Sequence, residues 1–157
     1  MIKNLTRLPP VLVVRTAWYW LCGRVHFQKK RLGEVIQGKE DFIIFRQAVL
    51  DPAATQPERP GAILAVRFQF RRFSLKTNRI LSIIPIPFIL AQPGFRSKIW
   101  MFEKRTGEIQ GLYEWDTVED AEKYRFSFPM KLMKKRAIPE SLTYEIKEIG
   151  RNQGSAV

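Results

Sequence analysis

Apolar and polar residues alternate along Ala62 to Phe73, with Leu64, Val66 and Phe68 on one side and Arg67 among the residues on the other. A period of two is typical of a β-strand with one buried face. Strand-like patterns recur in three later segments: 95–104, 108–115 and 141–149. The chain after residue 61 therefore predicts four strands.

Helical patterns fill two of the gaps between these strands. The first helix is predicted over Lys76 to Ile84, where Pro85 and Pro87 stop or kink it because proline lacks an N–H and clashes with the preceding turn. The second begins after Asp116-Thr117, which supplies an N-cap oxygen, and Pro129 opens a renewed turn within it. The predicted order is strand, helix, strand, strand, helix, strand.

This order predicts an α+β, ferredoxin-like βαββαβ fold. Because crossovers are right-handed, we expect a four-stranded antiparallel sheet with both helices on one face. The other face then needs cover, since Ile99, Met101 and Leu112 would add apolar area there. A twofold axis is the simplest way to supply a second sheet, so a homodimer is expected.

The first sixty residues predict an extension to that unit. A helix is expected over 11–22 and a strand over 41–50, and the proline-rich segment Asp51 to Gly61 is typical of a linker or long loop. The predicted organisation is an N-terminal extension over 1–60, a ferredoxin-like domain over 61–149 and a loose tail over 150–157.

The N-terminal helix has two interpretations. Its apolar stretch, Leu8 to Gly23, is shorter than the ~20 residues that span a bilayer, and it holds Trp18 and Trp20 between arginines. The helix either packs on the protein through its aromatic side, which is the favoured interpretation, or lies on an anionic membrane surface. No cleavable signal is recognisable at the start, so a cytoplasmic location is expected, peripheral to a membrane under the second interpretation.

The chain is strongly basic: its 157 residues carry 27 Lys and Arg against 15 Asp and Glu, a formal net charge of +12. The excess is spread along the sequence. It favours anionic partners without selecting one, and a solvated basic surface would look the same. Nucleic acid ranks last among the partners because no recognised binding motif is present.

Cys22 is the only cysteine and His26 the only histidine. Their scarcity excludes an intrachain disulfide, a multi-cysteine zinc site and any mechanism with two imidazoles. We expect Cys22 to be a small buried apolar residue and His26 to be structural or exposed. No metal-ligand spacing, Gly-rich phosphate loop or Ser/His/Asp set is present, so no metal and no other cofactor is expected.

Several motifs resemble those of a known superfamily. The segments that carry the resemblance are PGFRSKIW at 93–100, TG at 106–107, GLYEW at 111–115, EDAEKY at 119–124 and SLTYE at 141–145. They are similar to the dimeric α+β-barrel superfamily, and within it to the YdhR-like proteins of the antibiotic-biosynthesis monooxygenase type. The likeness covers residues 61–149 and not the first sixty.

The resemblance implies a dimer whose two sheets face each other, with a pocket in each protomer between sheet and helices. It implies a monooxygenase-like oxidoreductase that acts, without metal or flavin, on a small aromatic or polyketide-like molecule. Some members degrade haem, but that branch uses a histidine of the domain and none follows residue 61. A non-catalytic small-molecule binding protein is the alternative, because fold alone does not settle function.

Aromatic side chains are dense on the elements that would line such a pocket, and they suit a flat apolar ligand. The residues expected to bind substrate are Phe68, Phe70, Trp100, Trp115, Tyr124 and Phe128. The same residues would serve equally well as an ordinary core.

Lys98 and Tyr113 are the expected catalytic residues. If Lys98 shares the face of Trp100, burial would lower its pKa, so that it could act as a base or bind an anionic group. Otherwise its amine reaches solvent. Tyr113 could hydrogen-bond a substrate oxygen or point its hydroxyl into water. The candidate anion-binding residues are Arg71, Arg72 and Arg96, although basic runs are usually solvated surface.

Overall fold

The structure, a computed structural model, describes residues 8–150, so the predicted tail lies outside it apart from Gly150. The helices are α1 Pro9–Leu21, α2 Leu75–Leu81, α3 Ile86–Leu90, α4 Val118–Tyr124 and α5 Phe128–Arg136. The strands are β1 Val25–Phe27, β2 Val35–Ile36, β3 Phe42–Leu50, β4 Ala62–Phe68, β5 Phe95–Glu103, β6 Ile109–Trp115 and β7 Thr143–Glu148. None of the helices in this range is long and apolar enough to cross a membrane.

The strands form one antiparallel sheet in the order β1-β3-β5-β6-β4-β7, and β2 also pairs with β3. The strands after residue 61 stand in the order β7-β4-β6-β5, which is the fourth-first-third-second order of a ferredoxin-like unit. The predicted fold class is therefore confirmed. The predicted sheet size is wrong: seven strands lie within residues 8–150, because β3 pairs along most of β5 and carries β1 and β2 with it.

The sheet continues across the domain boundary predicted at Gly61. The loop between β3 and β4 has no helix or strand, as predicted, but it is held to the sheet. Arg96 forms an ion pair with Asp116 and donates to the Pro57 carbonyl. The Gln56 amide also donates to Asp116, at 2.7 Å. The two parts of the chain thus share one sheet, and the division into domains stays a prediction.

The main core lies between one face of the sheet and the helices. Its side chains include Leu64, Val66, Trp100 and Tyr113 from the strands and Leu90, Ala121, Tyr124 and Met130 from the helices. On the opposite face, Phe42 and Ile44 form a smaller cluster with Ile99 and Met101, and Leu112 packs against its edge. Ile99 and Met101 are only 2% and 1% exposed within one chain, so a dimer is not needed to bury them and remains a prediction.

Prolines divide the helical segments as their chemistry requires. The helix predicted over 76–84 ends at Leu81, and a separate short helix follows because Pro85 is its N-cap and Pro87 lies in its first turn. The predicted helix is therefore three residues too long at its C-terminal end, whereas the interruption at Pro85 matches the prediction. Pro129 occupies the corresponding early position of α5, as the sequence predicted.

The strand predicted to reach Phe73 is shorter in the structure. It ends at Phe68, and Phe70 makes only an isolated bridge with Ala137. Phe73 has a φ of 71°, a left-handed conformation that a strand cannot contain. The alternation of apolar residues continued past the true end because Phe70 also faces the interior.

The turn that opens β5 depends on Gly94, in the Pro-Gly-Phe motif. Its φ is +77°, a conformation that favours glycine, and its carbonyl accepts from the Asp116 N–H at 2.8 Å. A side chain at this position would collide with the Asp120 carboxylate at the start of α4. Glycine thus lets the strand and the helix approach each other.

We predict that Gly94→Ala destabilises the protein more than Gly107→Ala. Gly107 has a similar φ of +72° but open space around it, so its substitution costs only the left-handed backbone penalty of about 1–2 kcal/mol. The collision adds roughly 1 kcal/mol or more at Gly94. Urea unfolding measures both variants, and equal losses of unfolding free energy would contradict the packing argument.

Candidate functional site

A partly enclosed cavity of about 50 Å³ lies between the sheet and helices α2 to α5. Aromatic and aliphatic side chains form most of its wall, and no carboxylate lines it. The lining residues are Phe45, Phe68, Phe70, Asn78, Ser82, Pro85, Ile89, Lys98, Trp100, Ile109, Gly111, Tyr113, Tyr124, Pro129, Leu132, Met133 and Arg136. This volume is large enough for a few water molecules, since one water needs only about 10–15 Å³.

The register of β5 against β6 builds the floor of the cavity. Lys98 pairs with Tyr113 and Trp100 pairs with Gly111, so all four lie on the helix-facing side. A Cβ at Gly111 would lie 2.8 Å from the Tyr113 ring and 3.2 Å from the Lys98 Cε. The missing side chain of Gly111 therefore makes the room that the amine and the phenol occupy.

Lys98 is 6% exposed. Its Nζ lies 4.3 Å from the centre of the Trp100 ring and 4.2 Å from that of Tyr113. Within residues 8–150 no carboxylate pairs with this amine, although the two ring faces attract its charged form. Burial, and secondarily the positive charge of Arg46, hold the pKa of Lys98 well below its usual value. The prediction that Lys98 shares a face with Trp100 matches this geometry.

Two buried tyrosines stand beside the amine. The Tyr124 hydroxyl lies 3.4 Å from the Tyr113 hydroxyl, and the two rings are tilted with centres 5.1 Å apart. Burial raises the pKa of both phenols. Both therefore keep their protons at neutral pH, so Tyr113 can donate a hydrogen bond to an oxygen that enters the cavity.

Arginines stand around the cavity and make it electropositive. Arg136 lies over the Phe70 ring at 4.7 Å and donates to the Asn78 side chain at 3.1 Å. Arg46 lies 5.9 Å from the Trp100 ring and donates to the Ser82 hydroxyl. Burial lowers the pKa of both guanidinium groups, with nearby Arg79 adding to the effect on Arg46. The sequence reasoning named neither Arg46 nor Arg136.

The structure brings six of the predicted site residues to the cavity: Lys98, Tyr113, Phe68, Phe70, Trp100 and Tyr124. It does not bring Trp115 or Phe128 there. Trp115 is buried deeper, where it packs on Phe95 and Tyr124. Phe128 is partly exposed and packs on Phe88. Both rings pack outside the cavity, so the structure does not support placing these two in the substrate site, which stays a prediction.

The three candidate anion-binding arginines do not form one site. Arg71 and Arg72 are exposed just beyond β4, outside the cavity wall. Arg96 is buried on β5 but belongs to the ion pair with Asp116 described above. Its guanidinium holds the β3–β4 loop in place, which is a structural role.

The two residues that occur once each lie away from the cavity. The His26 Nε2 is 2.8 Å from the Asp51 carboxylate in a solvent-exposed pair. Cys22 is exposed at the end of α1 rather than buried as predicted, because it caps the helix on its solvent side. In the part of the chain that is described, no group of His, Cys, Asp and Glu is placed to hold a metal ion.

No protein-family model matches the sequence, and no curated protein is significantly similar to it. Solved structures do resemble its fold. A heme-degrading enzyme from Listeria monocytogenes superposes with a TM-score of 0.50 and 9% sequence identity, over 78% of this chain and 95% of the enzyme. The chain has the ferredoxin-like fold of that enzyme.

Two further structures are similar. A ferredoxin-fold protein related to antibiotic biosynthesis monooxygenases, also from Listeria monocytogenes, has 9% identity and a TM-score of 0.49 over 81% of this chain and 92% of its own. An anthrone oxidase-like protein has 15% identity and a TM-score of 0.48, over 75% of this chain and 60% of its own. Identities this low concern the fold alone, and for the fold the resemblance stated from the motifs is confirmed.

Within this ferredoxin-like fold, we predict that Lys98→Met stabilises the protein. A buried amine without an ionic partner costs about 1–3 kcal/mol, and methionine fills a similar volume. Because the pKa of Lys98 is lowered by folding, the unfolded chain binds more protons between that pKa and 10.5. The wild-type protein therefore gains stability as pH rises through this window, and the advantage of the variant shrinks there.

Chemical unfolding at several pH values measures this difference. Lys147→Met is the matched control, because the Lys147 side chain is 71% exposed on the edge strand β7. We expect the control to change the free energy of unfolding by less than Lys98→Met does. Loss of stability in Lys98→Met would show that the amine has a favourable partner and contradict its assignment as a desolvated base.

Proposed function

We propose that this protein is a monooxygenase-like oxidoreductase that oxygenates a flat, apolar, weakly acidic molecule in the cavity without a metal or flavin. The observation that carries the proposal is the Lys98 amine, buried against two aromatic rings with no carboxylate beside it. A lowered pKa keeps such an amine able to accept a proton near neutral pH.

The side chains that line the cavity indicate the class of ligand. Aromatic faces favour a planar ring system. Lys98 and Arg136 are the charged residues among the lining side chains, so the cavity attracts a developing negative charge rather than a cation. An aromatic ketone or quinol with an acidic C–H or O–H fits these requirements, because deprotonation creates the charge that the cavity favours.

The chemistry balances without an added reductant. Lys98 removes a proton from a methylene group between two rings, while the Tyr113 hydroxyl stabilises the enolate oxygen. The carbanion adds to O₂ and, with the proton returned, gives a hydroperoxide. Removal of the second C–H proton breaks the O–O bond. One oxygen atom stays as a ketone, the other leaves as water, and the substrate supplies all four electrons.

The cavity must widen to admit such a molecule. Its 50 Å³ is below the several hundred Å³ of typical ligand sites. Phe70, Leu132 and Met133 of the cavity wall are only partly buried, and an unbranched methionine changes rotamer easily. We propose that these three side chains move aside on binding, while the floor around Lys98 keeps its geometry.

Turnover by chelator-treated, flavin-free protein tests the proposal, with anthrone-type and quinol-type compounds as substrates and O₂ uptake as readout. We expect Lys98→Met to lower kcat by about 10²-fold or more, the usual contribution of a general base. Tyr113→Phe should lower it by about 10²-fold through the lost oxyanion donor. Lys147→Met should leave it unchanged. Wild-type rates in Lys98→Met would contradict the assigned site.

The rate should also depend on pH in a defined direction. Only neutral Lys98 accepts a proton, so kcat is expected to rise as pH increases through its lowered pKa. Tyr113 stays protonated throughout that range because burial raises its pKa. A profile that falls with rising pH would contradict this division of roles.

A non-catalytic binding protein is the second candidate, favoured by the absence of any nucleophile–base pair among the lining residues. Quenching of Trp100 fluorescence measures binding independently of turnover. Tight binding of the same compounds without O₂ uptake would support this candidate over the enzyme.

We also propose that two chains pair through the sheet face that carries Leu112. This residue is half-buried and borders the apolar cluster of Ile99 and Met101, with Ile63 and Ala65 beside it. Light scattering should give twice the mass of one chain for the wild type, and Leu112→Lys should shift it towards the monomer by placing a charge in the interface. A monomeric wild type at micromolar concentration would contradict the dimer.

A further inference from the structure

Helix α1, the end of β1 and the connection between α2 and α3 expose a connected apolar surface. Its largest side chains are well exposed: Trp20 by 58%, Leu21 by 82% and Ile83 by 54%. We call it the α1 surface, and its members are Val13, Ala17, Trp20, Leu21, Phe27 and Ile83. Exposed apolar patches of this kind mark interaction sites in folded proteins. The prediction that α1 buries its aromatic side is wrong for Trp18 and Trp20, which both point outward.

The scaffold below the α1 surface is firmly attached. Leu12 is fully buried, and the Thr16 hydroxyl donates to the Pro87 carbonyl. The Arg15 guanidinium donates to the Ala91 carbonyl at 3.0 Å. One side of α1 is therefore fixed on α3, which leaves Trp20 and its neighbours on the outer side. Trp18 and Trp20 therefore point outward because α1 packs on α3 through its other side.

The segments that form this surface are basic. Among the described residues, 8–33 contain five Lys and Arg and 59–102 contain eight, whereas neither segment contains Asp or Glu. Every member of the α1 surface belongs to one of these two segments. Lys29 and Lys30 lie two and three residues after Phe27 and are exposed, and Arg46 lines the surface itself. An apolar centre with a basic border complements anionic lipid head groups above acyl chains.

We infer that the α1 surface docks on an anionic lipid bilayer. Tryptophan prefers the interface between acyl chains and head groups, and Trp20 is held edge-on to Phe27 with ring centres 6.0 Å apart. Leu21 and Ile83 would enter the acyl region beside them. Lys29 and Lys30 would contact lipid phosphates, each adding affinity that salt screens.

The docking site adjoins the cavity. Arg46 borders the α1 surface on one side and lies near the Trp100 ring on the other. It also donates a hydrogen bond to the hydroxyl of Ser82 in the cavity wall. An apolar molecule dissolved in the bilayer would thus be released next to the cavity. This consequence rests on the proposed function, whereas the docking itself does not.

Co-sedimentation with vesicles tests the docking directly. We expect the wild type to bind vesicles that contain phosphatidylglycerol and to bind pure phosphatidylcholine at least about tenfold more weakly, with a blue shift of tryptophan emission on binding. Trp20→Ser with Leu21→Ser should abolish binding. The matched control is Phe126→Ser, since Phe126 is 69% exposed on the connection between α4 and α5, and it should bind as the wild type does.

Charge is tested separately. Lys29→Glu with Lys30→Glu should weaken binding at least about tenfold, because two attractive charges near the membrane become repulsive. Lys134→Glu with Lys135→Glu changes the net charge equally on exposed positions of α5 and should have a smaller effect. Equal losses in both pairs would mean that net charge alone drives binding, which overturns the assigned surface.

Two further outcomes would overturn the inference. One is a wild type that stays in the supernatant with anionic vesicles at low salt. The other is a change of oligomeric mass in the Trp20→Ser, Leu21→Ser variant without any vesicle binding by the wild type, which would make the surface a contact between copies of this chain. Unchanged thermal unfolding of all variants is the folding control. O₂ uptake is measured without vesicles, so a failure of vesicle binding and a failure of the proposed activity can be told apart.

Discussion

An ammonium group buried against aromatic rings is costly without an anion beside it, and the candidate site depends on this constraint. The pairing of β5 with β6 places Lys98 next to Tyr113 and opposite the gap left by Gly111. Burial favours the neutral amine, and the positive charge of Arg46 acts in the same direction. A buried amine whose charge the fold neither solvates nor neutralises indicates a functional site, because stability alone would favour an apolar residue there.

The segments that form most of the cavity wall contain no carboxylates. The acidic residues are absent from residues 59–102, which supply the β4 and β5 walls of the cavity together with α2 and α3. Asp116 is used to fix Arg96 and the β3–β4 loop instead. Within residues 8–150 no carboxylate lines the cavity, so the charge of Arg136, and that of Lys98 once it is protonated, has no anionic partner there. A ligand that becomes negative during reaction would meet an environment already arranged for it.

The strands after residue 61 were predictable because a period of two identifies a segment as a strand and shows which of its residues share a face. That period placed Lys98, Trp100 and Tyr113 towards the helices. Trp115 has the same parity, but the helix α4 that covers it carries Tyr124 across its ring, which alternation does not reveal. Arg46 was missed for another reason: its strand was assigned to an extension, and only the long-range pairing of β3 with β5 brings it to the cavity.

The protonation of Lys98 is the most direct test of this account. Carbon-13 NMR of protein labelled at the lysine ε-carbons, assigned by comparison with Lys98→Met, follows each amine through its titration. The account predicts that the Lys98 resonance titrates well below 10.5, the usual pKa of a lysine amine. A Lys98 resonance that titrates at or above that usual value would contradict it.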